Sequence, residues 1–176
     1  MENVIVLGAS GGMGYALVQE LSNRGVKVTA FARNEEKLRH LFQTTDNVRI
    51  VSGDAFSVED LQRAVQGHDT VFHAINLPFG DWEKKLAILI RNIINAAGKS
   101  NARLAIVDNI YSYGRNLGEK VTETTPKNPH TKKGKIRLQM ESLYKRAKVP
   151  YVLAHFPDFY GPFVNSSIIG HTLQSV

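Results

Sequence analysis

The chain has 176 residues, 43% of them hydrophobic, no cysteine and a formal net charge of +6, which is enough to enclose one sizeable core without a second domain. Disulfides and thiol chemistry are excluded, and no run of about 18 or more apolar residues or charged leader with an apolar core is present, so neither a membrane span nor a secretory signal is expected. A cytoplasmic location is the expectation that follows, and the positive charge is compatible with ligands that carry phosphate.

The first strand and turn set the frame. The apolar run Val4–Leu7 empties into Gly8-Ala9-Ser10-Gly11-Gly12-Met13-Gly14, after which Ala16, Leu17 and Leu21 fall at helical spacing. Glycines at 8, 11 and 14 let the chain turn sharply, let bare backbone approach a ligand and let the helix pack close to the strand, as a pyrophosphate at a helix N-terminus requires. Gly8, Ser10, Gly11, Gly12, Met13 and Gly14 are therefore candidate cofactor-binding residues. An ordinary tight turn would use the same glycines, but the second strand, Val26–Ala32, completes the βαβ unit that the dinucleotide reading needs. That strand ends at Arg33 with no Asp or Glu to hold a ribose 2′-hydroxyl. A guanidinium suits a 2′-phosphate, so NADP is expected, with NAD as the alternative. Asn34 is placed to cap a helix over Glu35–Phe42, which has acids first and basic residues later.

The third strand, Val48–Val51, leads to Ser52-Gly53-Asp54-Ala55, where Asp54 is a candidate for the adenine amino group, or for a purely local turn, and Ala55 for a backbone contact. Ser57 opens a helix that runs to Val65. In the fourth strand, Thr70–Ile75, small Ala74 lets backbone pass a dinucleotide and Ile75 follows it at the ligand end. His73 reads as a histidine satisfied within the sheet rather than an acid or base. Beyond the breaker at 76–80, a helix over Trp82–Ala97 carries Leu86, Leu89, Ile90, Ile93, Ile94 and Ala97 on one stripe. The fifth strand, Arg103–Val107, opens into Asp108–Gly114, where chemistry is expected. Then come a polar loop over 115–130, a basic helix over Lys132–Ala147, the sixth strand, Pro150–His155, and a short helical segment from Val164. Six strand–helix alternations give an α/β, Rossmann-like doubly wound parallel sheet with helices on both faces, in one NAD(P)-binding domain over residues 1–176. Lys132, Lys133, Lys135 and Arg137, with Lys145, Arg146 and Lys148, have no aromatic residues interleaved and read as a solvated helix face. The expected partner is a small-molecule substrate, with no nucleic acid, membrane or metal, and a homodimer is left open.

Five pieces, Gly8–Gly14, Gly53-Asp54-Ala55, Gly67–Ala74, Tyr113-Gly114 and Tyr160-Gly161-Pro162, stand in an order that resembles the extended or atypical short-chain dehydrogenase/reductases of the NAD-dependent epimerase/dehydratase kind. The resemblance spans nearly the whole chain. It implies an NAD(P)-dependent oxidoreductase or epimerase-like protein acting on a small hydroxyl or carbonyl compound such as a sugar nucleotide. It also implies a substrate region in the second half of a longer chain, so that this is expected to be either a compact variant or the cofactor half of such a protein, with apolar surface where the rest docks. Members carry Ser or Thr after the fifth strand and Tyr-x-x-x-Lys on the next helix, where a lysine-assisted tyrosinate exchanges a proton with the substrate hydroxyl as hydride moves. Here Asn109 occupies the hydroxyl position. In one register Thr131 and Lys135 occupy the tyrosine and lysine positions, and in a second, fixed by Glu141, Lys133 and Arg137 do so; neither supplies a tyrosine. The pKa of a threonine hydroxyl is far too high for the tyrosinate's part. Lys135 is then expected at the nicotinamide ribose, and Tyr113 or Tyr111 remains as the acid, against a plain packing role for both. The alternative is a non-catalytic NADP-binding sensor or partner-binding module; a nucleic-acid binder using the basic cluster would show strongly salt-dependent association.

Overall fold

In the computed structural model, which describes residues 2–115, 118 and 120–157, six strands form one sheet with helices on both faces. The elements are β1 (Asn3–Leu7), α1 (Gly12–Asn23), β2 (Lys27–Ala32), α2 (Glu35–Phe42), β3 (Val48–Ser52), α3 (Val58–Val65), β4 (Thr70–His73), α4 (Ala87–Lys99), β5 (Arg103–Asn109), α5 (Lys132–Arg146) and β6 (Tyr151–Phe156). Every neighbouring pair is parallel, in the order β3-β2-β1-β4-β5-β6. After β3 the chain crosses to the other side of β1, so a crevice opens at the carboxyl ends of β1 and β4, where doubly wound sheets bind their ligands.

The strands show why the sheet is covered twice. Residues 4–7 are apolar without alternation, as a strand buried on both faces requires, and successive side chains enter different cores. Val4 and Val6 pack with Val18 and Leu21 of α1 and with Leu38 and Phe42 of α2. Ile5 and Leu7 join Leu61 of α3, Ile93 of α4 and Tyr144 of α5. Three helices start on side-chain caps that satisfy first-turn N–H groups: Asn34 Oδ1 accepts from Lys37 N at 2.8 Å, Ser57 Oγ from Asp60 N at 3.1 Å and Thr131 Oγ1 from Gly134 N at 3.0 Å.

Three elements differ from the sequence expectation by more than one residue. The helix predicted over Trp82–Ala97 begins as a π turn, Trp82–Leu86, in which the buried Trp82 ring donates its Nε1 proton to Leu77 O at 2.8 Å. Widening the turn seats the indole while Leu86 also stays buried. β4 stops at His73 rather than Ile75, because the Ile75 N–H turns back to His73 Nδ1 at 3.3 Å. β5 runs on to Asn109 because β6 pairs with it as far as Asn109 and Phe156. Tyr160-Gly161-Pro162 and the helix predicted from Val164 lie outside the described residues. No helix among the described residues is long and apolar enough to cross a membrane.

Candidate functional site

The turn after β1 is pinned from below. Gly8 N and Ala9 N both donate to Phe31 O, at 2.9 and 3.1 Å, and Gly8 has a φ of +86°. A Cβ at Gly8 would stand 2.9 Å from the Ala74 backbone, and one at Gly14 only 2.1 Å from Gly8 O, so strand, turn and helix meet backbone to backbone. Gly11 differs: its Cβ would approach nothing closer than Gly8 O at 3.4 Å. The first N–H of α1 to bond back is that of Tyr15, to Gly11 O at 2.7 Å. The first turn has no helical carbonyls before it and carries no acidic side chain, so its N–H groups and the positive end of the helix dipole face an anion unopposed.

Above this turn lies a cleft of about 410 Å³, into which the structure brings Gly8, Ser10, Gly11, Gly12, Met13, Arg33, Asp54, Ala55, Ala74 and Ile75 from four different strand ends. Gly14 is not on the lining; it packs the helix against the turn. Asp54 does local work as well, its Oδ1 accepting from Phe56 N at 3.0 Å. Lys37 and Asn76 also line the cleft and escaped the sequence reading. Lys37 follows Arg33 by four residues in the first turn of α2, a spacing that was available from the sequence alone. Of the two acids in that turn, Glu35 is tied to Arg39 at 2.6 Å and to Ser52 Oγ at 3.0 Å, and neither acid is on the cleft lining; the Arg39 and Ser52 hydrogen bonds hold the Glu35 carboxyl below the usual carboxylate range.

Beyond Ala74 the cleft ends against a buried charged cluster. Arg137 Nη1 is 3.0 Å from Asp108 Oδ1, its Nη2 donates to Asn76 Oδ1 at 3.1 Å, and its Cζ lies 3.9 Å over the Trp82 ring. Burial pushes the Asp108 carboxyl up, against the pull of Arg137. Burial, seconded by Arg137, pushes the His73 ring down to about 3, so this histidine is neutral at pH 7. Arg137 Nε and Ser112 Oγ are buried without a hydrogen-bond partner among the described residues.

These contacts correct two expectations. Arg137 is not part of a solvated basic face: its side chain is 9% exposed. Lys135, in contrast, is exposed and lines a separate hollow with Glu83, Lys132 and Gln139 rather than the glycine cleft. Residues two apart on a helix point to nearly opposite sides, so one cation can face the sheet only if the other faces away. Thr131 serves as the N-cap of α5. Of the cations in the two registers, Arg137 touches the cleft lining, through Asn76, while Lys133 Nζ lies 3.4 Å from the centroid of the Phe79 ring.

Asn109 caps the 3₁₀ turn Ile110–Tyr113, its Oδ1 accepting from Tyr111 N at 3.1 Å. Tyr113 packs edge-on against His155 with centroids 5.2 Å apart, under Lys127 at 4.8 Å. Burial and then the Glu141 charge push the Tyr113 hydroxyl up, the opposite of what a tyrosinate needs. Neither residue lines the glycine cleft.

Known proteins resemble this chain at three levels. The 2-alkyl-3-oxoalkanoate reductase of Shewanella oneidensis is 35% identical over 97 residues, which are 55% of this chain and 24% of that protein. The chain thus spans about a quarter of that relative. The Bordetella bronchiseptica enzyme WbmH in complex with NAD+ superposes with a TM-score of 0.82 at 20% identity, over 99% of this chain and 61% of that one. The dTDP-glucose 4,6-dehydratase of Bacillus anthracis in complex with NAD gives 0.78 at 18% identity, over 93% and 57%. These structures share the Rossmann-like fold built above. The model of the NAD(P)H-binding family matches residues 8–159, from the first glycine of the turn to beyond β6, and the chain belongs to that family.

Proposed function

We propose that this chain binds NADP(H) and serves an oxidoreductase or epimerase-like reaction on a small carbonyl or hydroxyl compound. The observation that carries the cofactor choice is the pairing of Arg33 with Lys37 on the cleft wall, where β2 ends without an acid of its own. Two cations at that wall suit a 2′-phosphate, and α1's first turn suits the pyrophosphate. Asp54 and Ala55 are placed for the adenine, and Ala74 and Ile75 for the stretch of dinucleotide that crosses the turn. The relatives suggest the substrates to test first: a 2-alkyl-3-oxoalkanoate and a sugar nucleotide such as dTDP-glucose.

Titration calorimetry with NADPH and NADH tests the cofactor reading. Losing one charge-assisted contact to the 2′-phosphate costs on the order of 1.5–3 kcal/mol. Arg33→Ala and Lys37→Ala should each weaken NADPH about tenfold or more and leave NADH nearly unchanged. A parallel loss for both cofactors would mean that neither cation reads that phosphate.

A second reading, a sensor that holds NADP without turnover, is favoured by the proton-transfer side of the site. In neither register does a tyrosine stand where the family of the resemblance carries one, and Arg137, the lysine position of the second register, is tied to Asp108. Loss of NADPH absorbance with any of a panel of sugar nucleotides, aldehydes and ketones supports the enzyme. Tight binding without turnover across the panel supports the sensor.

A further inference from the structure

We infer that Arg137 is a positioning residue that fixes the side-chain amide of Asn76, so that Asn76 Nδ2 donates to an oxygen on the nicotinamide half of the dinucleotide. The inference rests on the dinucleotide reading and adds to it the group that meets the far half of the ligand. A guanidinium has donors only, so the Asn76 atom that meets Nη2 at 3.1 Å is the carbonyl oxygen, and both amide protons are left for other partners. Asn76 lines the cleft two residues past Ala74, whose backbone lies against Gly8; it therefore stands on the rim beyond the phosphate turn.

Arg137 itself is not on the cleft lining, whereas Asn76 is. Arg137 Nη1 meets Asp108, its Nη2 meets Asn76, and its Cζ is held 3.9 Å from the centroid of the Trp82 ring. That triple hold is what makes the amide orientation definite. A lysine at 137 would offer one nitrogen in place of a fork, and could not serve Asp108 and Asn76 with the same geometry. Asn76 is itself exposed, so its replacement leaves the core intact.

The test compares NADPH with adenosine 2′,5′-bisphosphate, which lacks the nicotinamide half, by calorimetry on the full chain. Wild type should bind both. Asn76→Ala should weaken NADPH about fivefold, the size of one neutral hydrogen bond, and leave the bisphosphate within about twofold. Asn76→Asp keeps an acceptor for Arg137 but puts a carboxylate oxygen where the donor stood, and should weaken NADPH by about tenfold or more. Arg137→Lys keeps a cation opposite Asp108; it should weaken NADPH when Asn76 is present and add nothing in the Asn76→Ala background. NADPH affinity equal to wild type in both Asn76 variants overturns the inference, as does a parallel loss of the bisphosphate. Wild type that binds neither ligand overturns the inference together with the cofactor reading beneath it.

Discussion

Gly11 and Gly14 stand three residues apart and exclude side chains for different reasons. At Gly14 the obstacle is the protein: a Cβ would lie 2.1 Å from Gly8 O and 2.7 Å from Gly8 C, both backbone atoms that cannot swing aside. At Gly11 the protein leaves room, and the demand for glycine comes from whatever occupies the cleft above it. The two substitutions should therefore separate stability from binding. Gly14→Ala should destabilise the chain by at least about 1–3 kcal/mol through overpacking. Gly11→Val should leave the melting temperature close to wild type and abolish NADPH binding, because its side chain fills the space the phosphates need. Calorimetry and thermal melts of both variants check this, and NADPH affinity unchanged in Gly11→Val would place the ligand elsewhere.

Helix α5 places three charged side chains at intervals of four, Lys133, Arg137 and Glu141, and this is the element the sequence disclosed least. A charge inside a helical stripe normally marks a solvated side, and only the distant partners reverse that: Asp108 on β5 for Arg137, Lys127 on the preceding loop for Glu141. Those partners are set by tertiary packing, so the sequence left the two registers of the helix unresolved, whereas its extent, Lys132–Ala147, was legible to within one residue. Glu141 offers a test by pH. Burial pushes its carboxyl up, but hydrogen bonds from Lys127 and Lys145, with their charges, outweigh burial and hold it below the ordinary 4.5. His155, 4.0 Å away, is pushed down by burial and by Lys127 and adds no charge at neutral pH. A carboxyl depressed in the folded state contributes stability above its unfolded value that is lost as pH falls through the folded one. Glu141→Gln should thus be less stable than wild type at pH 7 and lose less stability than wild type between pH 5 and pH 3, in melts run across that interval at about 0.15 M salt. Equal slopes for the two proteins would remove Glu141 from the acid response.

At the scale of the whole molecule, the sheet separates two cores that share only the strands. One packs under α1 and α2, the other under α3, α4 and α5, and the cleft lies over the line where they meet. The alternation of strands and helices and the glycine turn were enough to place that cleft in advance, because each depends on local sequence. The far wall depends on Arg137 and Asn76, which are 61 residues apart in the chain, and no local pattern joins them. A dinucleotide lying along the cleft would touch the end of β2 and the α1 turn on one side of the switch point and the β4 exit on the other, and so would hold both cores in the folded state. Binding to the folded state alone stabilises it by about 2.7 kcal/mol when the free ligand is at about a hundredfold its Kd. For a chain of 176 residues that corresponds to a rise in melting temperature of roughly 5–10 °C. Wild type with saturating NADPH should show this rise, and Gly11→Val should show none at the same NADPH concentration. A rise of the same size in both proteins would mean that NADPH stabilises the fold from a site other than the glycine cleft.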